Sequence, residues 1–227
     1  MDMRQLKYFL IIEVARSKHG ISLCQRKYAL EILEDTEFLG AKPSQFPAEQ
    51  NVTLIQGDED LLEDASQYRR LVGRLIYLTI TRPDLAYTVH ILSQFMDKPR
   101  QPHLEAAHKV LRYIKQAPGQ GILLPSKGSL DLRAYCDANW VHCKDTRRST
   151  TGYCIFLGRA PISWKIKKQS TVSYSSAEVE YCSMATTCCE ITWLQYILRD
   201  LNVKHEQLVK LFCDNKAAIH GLKSHVS

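Results

Sequence analysis

The chain has 227 residues, of which 45% are hydrophobic and 24% charged, and its formal net charge is +6. This composition is that of a globular protein with one or two domains, and it argues against a disordered chain. The mild positive charge favours polyanionic partners, but the chain has no basic tail.

The sequence also argues against a secreted or membrane protein. No run approaches the roughly 20 apolar residues that a membrane span needs, and residues 1–5 lack the layout of a secretory signal. The eight cysteines include no CxxC pair, so a structural zinc site is not predicted and a reducing compartment, the cytoplasm or the nucleus, is. Cys136 and Cys213 each precede an aspartate on a predicted strand, and we expect both to point into the core.

The first half of the chain is predicted to be a β-hairpin followed by helices. Two β-rich runs flank a turn at residues 17–20. Apolar residues then recur at helical spacing in segments that glycine or proline interrupts. The predicted strands are 6–15 and 20–25, and the predicted helices are 26–38, 68–81, 83–96 and 103–115. The polar, acidic stretch 43–65 is predicted to be an exposed linker.

From residue 129 the pattern changes to strands around one long helix. The predicted strands are 130–137, 152–157, 162–166, 170–173 and 208–213, and the predicted helices are 176–201 and one beginning over 215–222. This order predicts a mixed α/β sheet with helices on its faces. The fold class is therefore α+β with an α/β part, in which a helical unit precedes the mixed sheet.

Three carboxylates fall where such a sheet can bring them together. Asp137 lies in a strand, Glu180 opens the long helix and Asp214 ends the last strand. Clustered carboxylates repel one another unless a divalent cation neutralises them. Two Mg²⁺ ions about 4 Å apart would activate water and stabilise the leaving oxygen of a phosphodiester.

The same residues also have ordinary explanations, which the spacing leaves open. Asp214 suits the cap of a following helix, and an acidic residue at position 180 is favoured by the helix dipole. Glu178 is a second candidate for the helix position, and Glu178 and Glu180 do not share a helix face.

Five basic residues of the same half are candidates for nucleic-acid binding. They are Arg147, Arg148, Lys165, Lys167 and Lys168. Such side chains can hold phosphates with an affinity that falls steeply in salt. For any one of them, a solvated position on a turn is the alternative.

An ordered set of short motifs runs from end to end of the chain. It includes Leu6-Lys-Tyr-Phe-Leu10, Thr81-Arg-Pro-Asp84, Tyr135-Cys-Asp-Ala-Asn-Trp140, Ser175-Ser-Ala-Glu-Val-Glu-Tyr181 and Cys213-Asp-Asn-Lys-Ala-Ala218. This set resembles the Pol polyproteins of Ty/copia-type retrotransposons. The order of the motifs makes the resemblance specific, although each motif alone is weak.

The resemblance implies an assignment of domains. Residues 1–42 would be the end of the reverse transcriptase palm with the primer-grip hairpin and the first thumb helix, and 43–65 a linker. Residues 66–117 would be the remaining thumb or connection helices, and 129–227 a ribonuclease H-like domain that is incomplete at its C-terminus.

The resemblance also implies a function for the second half. Asp137, Glu180 and Asp214 would hold Mg²⁺ or Mn²⁺ and hydrolyse the RNA strand of an RNA–DNA hybrid. The implied partners are such a hybrid or another nucleic acid, and the missing portions of the polyprotein. No membrane and no small-molecule substrate is implied.

Departures from the family pattern lower the expected activity. The polymerase's paired aspartates are absent, so DNA synthesis is not expected. Ile11 stands where the family usually has glycine, and Asn139 where it usually has aspartate. The family's final carboxylate lies in a later segment that this chain lacks. We therefore expect a weak or inactive nuclease, with a non-catalytic nucleic-acid-binding remnant or a functionless translated relic as alternatives.

Overall fold

The structure is a computed structural model that describes residues 6–49, 54, 55, 57, 60–139, 147–203, 208–215 and 218. The chain divides into two units, residues 1–126 and 127–227. Each unit combines helices with a β-sheet, so the predicted mixture of α and β structure is confirmed. Among the described residues, no helix is both long enough and apolar enough to cross a membrane.

The first unit is a four-stranded antiparallel sheet with four α-helices. Its strands are β1 (Tyr8–Phe9), β2 (Ile12–Ser17), β3 (Gly20–Cys24) and β4 (Gly121–Pro125), in the spatial order β1-β2-β3-β4. Its helices are α1 (Arg26–Asp35), α2 (Ala65–Leu78), α3 (Ala86–Ser93) and α4 (Gln101–Gln116). One buried core includes residues of all four helices. The finer domain boundaries at 42 and 66 stay predictions.

Strand β4 was not predicted, and it joins the end of the unit to its beginning. It pairs with β3 so that Gly20 faces Pro125 and Cys24 faces Gly121. A Cβ atom on Gly20 would lie 2.1 Å from the carbonyl oxygen of Leu124, and one on Gly121 equally close to that of Leu23. The absence of side chains at both ends therefore allows the two backbones to approach.

The predicted continuous strand 6–15 was wrong, because a two-residue turn splits it into β1 and β2. Leu10 and Ile11 form this turn with φ angles of 46° and 64°, and Phe9 pairs with Ile12 across it. Turns of this kind favour Asn-Gly, since a side chain with a branched Cβ is strained at positive φ. The hydroxyl of Tyr77 donates to the Leu10 carbonyl at 2.7 Å, which holds the turn against α2.

Helix α1 also ends three residues before its predicted end. The Thr36 hydroxyl donates to the Ile32 carbonyl at 2.7 Å, and Glu37 adopts a left-handed φ of 63°. A left-handed residue terminates an α-helix. A short 3₁₀ turn, Phe38–Gly40, follows.

The turn at Ile11 leads to a stability prediction. Ile11→Gly should stabilise the β1–β2 hairpin by about 1 kcal/mol, because glycine adopts positive φ without the Cβ penalty. The measurement is native-state hydrogen exchange at the Val14 amide, which donates to the Lys7 carbonyl at 2.8 Å. Ala15→Gly in β2 is the control and should lower protection, since glycine weakens a strand. Equal or lower protection in Ile11→Gly would contradict the prediction.

Arg82 is a buried cation of the first unit, with 1% of its surface exposed. Its guanidinium donates to both carboxylate oxygens of Asp84 at 2.8–3.2 Å and to the Ala117 carbonyl at 3.1 Å. It also lies 5.4 Å from the ring centre of Tyr113. Arg82 therefore connects the segment before α3 to the end of α4, which gives the Thr81-Arg-Pro-Asp84 motif a structural role.

Substitution of Arg82 should therefore be costly. Arg82→Ala should destabilise the first unit by about 2–4 kcal/mol, since it leaves partly buried partners unpaired and removes a buried side chain. Arg82→Lys should cost about 1–3 kcal/mol, since an ammonium lacks the planar fork. Denaturant unfolding followed by the helical circular dichroism signal measures both.

The first unit offers a matched control for Arg82. Arg74 pairs with Asp35 at 2.6 Å, but 63% of the Asp35 side chain is exposed. Arg74→Lys should cost less than about 1 kcal/mol. Similar losses of unfolding free energy in Arg74→Lys and Arg82→Lys would show that burial of the arginine does not determine the cost of the substitution.

The second unit is a four-stranded mixed sheet with one long helix. Its strands are β5 (Leu132–Asn139), β6 (Thr150–Leu157), β7 (Ala160–Lys168) and β8 (Lys210–Phe212), and its helix is α5 (Ser176–Asp200). The spatial order is β7-β6-β5-β8, with β8 parallel to β5 and the other pairs antiparallel. A core of aliphatic residues lies between the sheet and α5. Most of the predicted helix over 215–222 lies outside the described residues.

The predicted strand 170–173 was wrong. These residues form a loop that leads into α5. The Ser173 hydroxyl donates to the side-chain oxygen of Gln169 at 3.0 Å, and the Gln169 amide donates to the Val179 carbonyl at 3.3 Å. The polar side chains of this run therefore attach the loop to the helix start instead of pairing in the sheet.

Candidate active site

The parallel pair β5–β8 places two of the predicted carboxylates at the same end of the sheet. Tyr135 of β5 lies opposite Phe212 of β8. Because the strands run in the same direction, Asp137 and Asp214 each follow two residues later at the same end. Helix α5 packs on β5 and β6 and supplies Glu180 from its second turn.

Glu180 is buried, with only 4% of its surface exposed. Burial raises the pKa of its carboxyl group, and the charges of Asp137 and Asp214 raise this pKa further. Hydrogen bonds from the Cys213 thiol, at 3.5 Å from Oε2, and from the Ala138 backbone act in the opposite direction. All three predicted carboxylates therefore interact electrostatically.

Glu180 and Asp214 form a close pair, and Asp137 is not part of this close group. One ligand atom each from Glu180, Cys213 and Asp214 lie within 4.8 Å of one another. Asp137 does not belong to this set among the described residues, and its side chain is exposed on β5. The third close ligand atom is the Cys213 sulfur.

Sequence reasoning was right about the orientation of Cys136 and Cys213 but did not foresee that the Cys213 thiol lies beside Glu180. Cys136 is buried, with 6% of its surface exposed, as its place in β5 predicts. Cys213 was expected to be its equivalent on the last strand. Cys213 is partly buried between the exposed Phe212 and Asp214, and its thiol is turned toward the buried Glu180 of α5, so it faces the helix side of the sheet as predicted.

The geometry separates the two candidate glutamates of α5. Glu178 is exposed, and its carboxylate accepts a hydrogen bond from the Tyr174 amide at 2.7 Å. The Glu178 amide in turn donates to the Ser175 hydroxyl at 3.2 Å. This reciprocal arrangement stabilises a helix N-terminus. Glu178 therefore caps α5, and Glu180 is the glutamate that faces the other carboxylates.

Ser183 fixes the position of α5 on the sheet, and sequence reasoning did not select it. It is 1% exposed, and its hydroxyl lies 3.1 Å from the Asp137 carbonyl oxygen and 3.4 Å from that of Gly152. Ser183 follows Glu180 by about one helical turn. These hydrogen bonds to two strands therefore fix the position of Glu180 along the sheet relative to Asp137.

A groove of about 250 Å³ lies beside these carboxylates, between strands β6 and β7 and helix α5. Its lining consists mainly of lysine and hydroxyl side chains: Thr151, Gly152, Tyr153, Lys165, Lys167, Lys168, Gln169, Ser170, Thr171, Cys182, Ser183 and Thr186. Three of the five predicted basic residues share this groove. Arg147 and Arg148 are exposed just before β6 and are not part of the lining.

Comparison with known proteins identifies the lineage. The chain is 42% identical over 96% of its length to the retrovirus-related Pol polyprotein from transposon RE1 of Arabidopsis thaliana. It is 31% identical over 90% of its length to that from transposon TNT 1-94 of Nicotiana tabacum. An uncharacterized mitochondrial protein of Arabidopsis thaliana is 40% identical over 85% of the chain and 80% of that protein. The chain belongs to the Ty/copia-type retrotransposon Pol family.

This Ty/copia-type chain corresponds to a small part of the Pol polyproteins that it matches. It covers 15% of the RE1 polyprotein and 16% of the TNT 1-94 polyprotein. No protein-family model matches the chain, and no solved structure gives a significant match.

The burial of Glu180 in this Pol chain gives a stability prediction. A carboxyl group whose pKa is raised by folding loses stability as pH rises from the ordinary carboxyl pKa through the folded value. Without divalent cations, Glu180→Gln should therefore be more stable than the parent at neutral pH, and this advantage should shrink at acid pH. The measurement is denaturant unfolding in a chelating buffer, followed by tryptophan fluorescence.

Tryptophan fluorescence reports on the second unit, because all three tryptophans of the chain lie after residue 127. Glu178→Gln is the matched control, since Glu178 is exposed and caps α5. It should not be stabilised at neutral pH. Parallel curves of stability against pH for Glu180→Gln and the parent would show that the Glu180 charge is not destabilising.

Proposed function

We propose that residues 127–227 form a ribonuclease H-type module that binds RNA–DNA hybrid and hydrolyses its RNA strand. The observation that carries this proposal is the buried Glu180, which lies beside Asp214 and within the electrostatic influence of Asp137. The architecture of this unit supports it, since three antiparallel strands, a helix and a strand parallel to the first form a mixed sheet such as the sequence pattern predicts.

The residues fit a hard divalent cation such as Mg²⁺ or Mn²⁺. Asp137, Glu180 and Asp214 offer carboxylate oxygens, which are the ligands that these cations prefer. Burial raises the pKa of Glu180, and the repulsion from Asp137 and Asp214 that raises it further would be relieved by a bound cation. Such cations, when bound, activate water and stabilise the phosphodiester's leaving oxygen.

The groove would give the module a second role, which is to hold the phosphate backbone of the hybrid. Lys165 and Lys167 lie two residues apart on β7, so they share a face of the strand. Their ammonium groups would hold backbone phosphates of the hybrid, and the hydroxyl groups of Thr151 and Thr171 would donate hydrogen bonds. Ser183 lines the groove and also donates to the Asp137 backbone carbonyl, so the groove adjoins the strand that carries Asp137.

Hybrid cleavage tests the catalytic proposal. The chain incubated with a labelled RNA–DNA hybrid and Mg²⁺ should cut the RNA strand weakly, because Asp137 lies outside the close ligand set. Asp137→Asn and Glu180→Gln should each reduce cleavage by about a hundredfold or more. Glu178→Gln should retain it. Cleavage that persists in Asp137→Asn and Glu180→Gln, or no cleavage by the parent chain, would overturn the proposal.

The groove also favours a second function, in which the module holds a hybrid without cutting it. Replacing both Lys165 and Lys167 by glutamine should weaken hybrid binding and lower the salt slope by about one per lost phosphate contact. Fluorescence anisotropy across a salt series measures this, with the exposed Lys127→Gln as the control. Binding that survives loss of all three carboxylates, in a chain that does not cleave, would favour this function. An unchanged salt slope in the double variant would exclude the groove as the surface that binds the hybrid.

A further inference from the structure

A thiol lies within the carboxylate site, although hard cations such as Mg²⁺ bind oxygen ligands and not sulfur. The Cys213 sulfur is 3.5 Å from the Glu180 Oε2 atom, and one ligand atom each of Glu180, Cys213 and Asp214 lie within 4.8 Å of one another. The three ligands come from two elements, since Glu180 belongs to α5 and the other two follow β8. The site therefore contains two overlapping ligand sets, one of carboxylates only and one with a sulfur.

The spacing of the mixed set suits a tetrahedral soft cation. Zinc binds thiolate sulfur at about 2.3 Å and carboxylate oxygen at about 2.0 Å, so tetrahedral geometry separates the two ligand atoms by about 3.5 Å. The observed sulfur to oxygen distance has this value. Thiolate ligands select zinc and similar cations over Mg²⁺, which takes oxygen ligands.

We propose that Glu180, Cys213 and Asp214 bind a thiophilic divalent cation, with Zn²⁺ as the reference, and that this cation excludes Mg²⁺ from the site. On binding, the Cys213 thiol loses its proton to solvent and the sulfur forms the bond to the cation, with no change of oxidation state. Water would complete the coordination. The inhibitory consequence rests on the proposed nuclease function, but the binding itself does not.

Cobalt provides a direct readout of sulfur ligation that does not depend on cleavage. Co²⁺ added to the full chain should give the ultraviolet charge-transfer band of a thiolate-bound ion, and Zn²⁺ should remove the band by competition. Cys213→Ser should lose the band and should bind Zn²⁺ at least about tenfold more weakly. The control Cys189→Ser should keep both, because Cys189 is exposed on α5 and outside the site.

A hard cation separates this proposal from a general loss of the site. Mn²⁺ binding should change less than about twofold in Cys213→Ser, because the carboxylates remain. A second measurement uses the unmodified chain, so that a folding defect in the variant has no influence. Zn²⁺ should protect Cys213, but not Cys189, from alkylation, as read by peptide mass spectrometry.

The outcomes distinguish this proposal from the proposed function. A cobalt band that persists in Cys213→Ser, or no protection of Cys213 by Zn²⁺, would overturn the mixed site even if the hybrid is cleaved. A band that depends on Cys213, in a chain that does not cleave the hybrid, supports the mixed site and overturns the nuclease. If both hold, Zn²⁺ should inhibit cleavage in the parent chain and at least about tenfold less in Cys213→Ser.

Discussion

The second unit depends on one constraint, which is that Glu180 must be held in the protein interior beside other acids. Burying a carboxylate is unfavourable unless it is paired, and the described residues place no lysine or arginine within ion-pair distance of Glu180. The fold nevertheless holds Glu180 there. Ser175 and Glu178 cap the helix that carries it, and Ser183 attaches that helix to two strands. Such fixed burial of an unpaired acid is typical of functional sites.

The two units differ in whether a buried charge has a partner of opposite charge. In the first unit the buried Arg82 has its carboxylate partner two residues away, and a carbonyl and an aromatic ring complete its surroundings. That charge is satisfied within the chain and stabilises the packing of α3 and α4. Among the described residues, the charge of Glu180 has acidic neighbours, and its hydrogen-bond donors are a thiol and a backbone amide. The Glu180 carboxyl group is therefore protonated more readily than an ordinary one, and in the proposed function a divalent cation would balance its charge.

Much of this could be predicted from the sequence, because the signals are local. Helical periodicity indicated α2 and α4, and the position of Asp137, Glu180 and Asp214 relative to strands and helix indicated the site. The pairing of β4 with β3 could not be predicted, because it joins residues about a hundred positions apart, such as Gly20 and Pro125. The Leu10–Ile11 turn opposes local propensity, and tertiary contacts such as the Tyr77 hydrogen bond hold it. The contact between Cys213 and Glu180 was not predicted, because it depends on how α5 packs on the sheet.

The parallel pairing of β5 with β8 has a consequence for the order of folding. The two antiparallel pairs, β5–β6 and β6–β7, can form early, because each joins strands that follow one another in the chain. Strand β8 reaches β5 only after the chain has passed through β6, β7 and all of α5, so this contact carries the largest loop-closure entropy of the unit. Asp214 follows that strand. During synthesis on the ribosome the carboxylates would therefore remain apart until the unit is nearly complete, and a partly made chain would carry no assembled site.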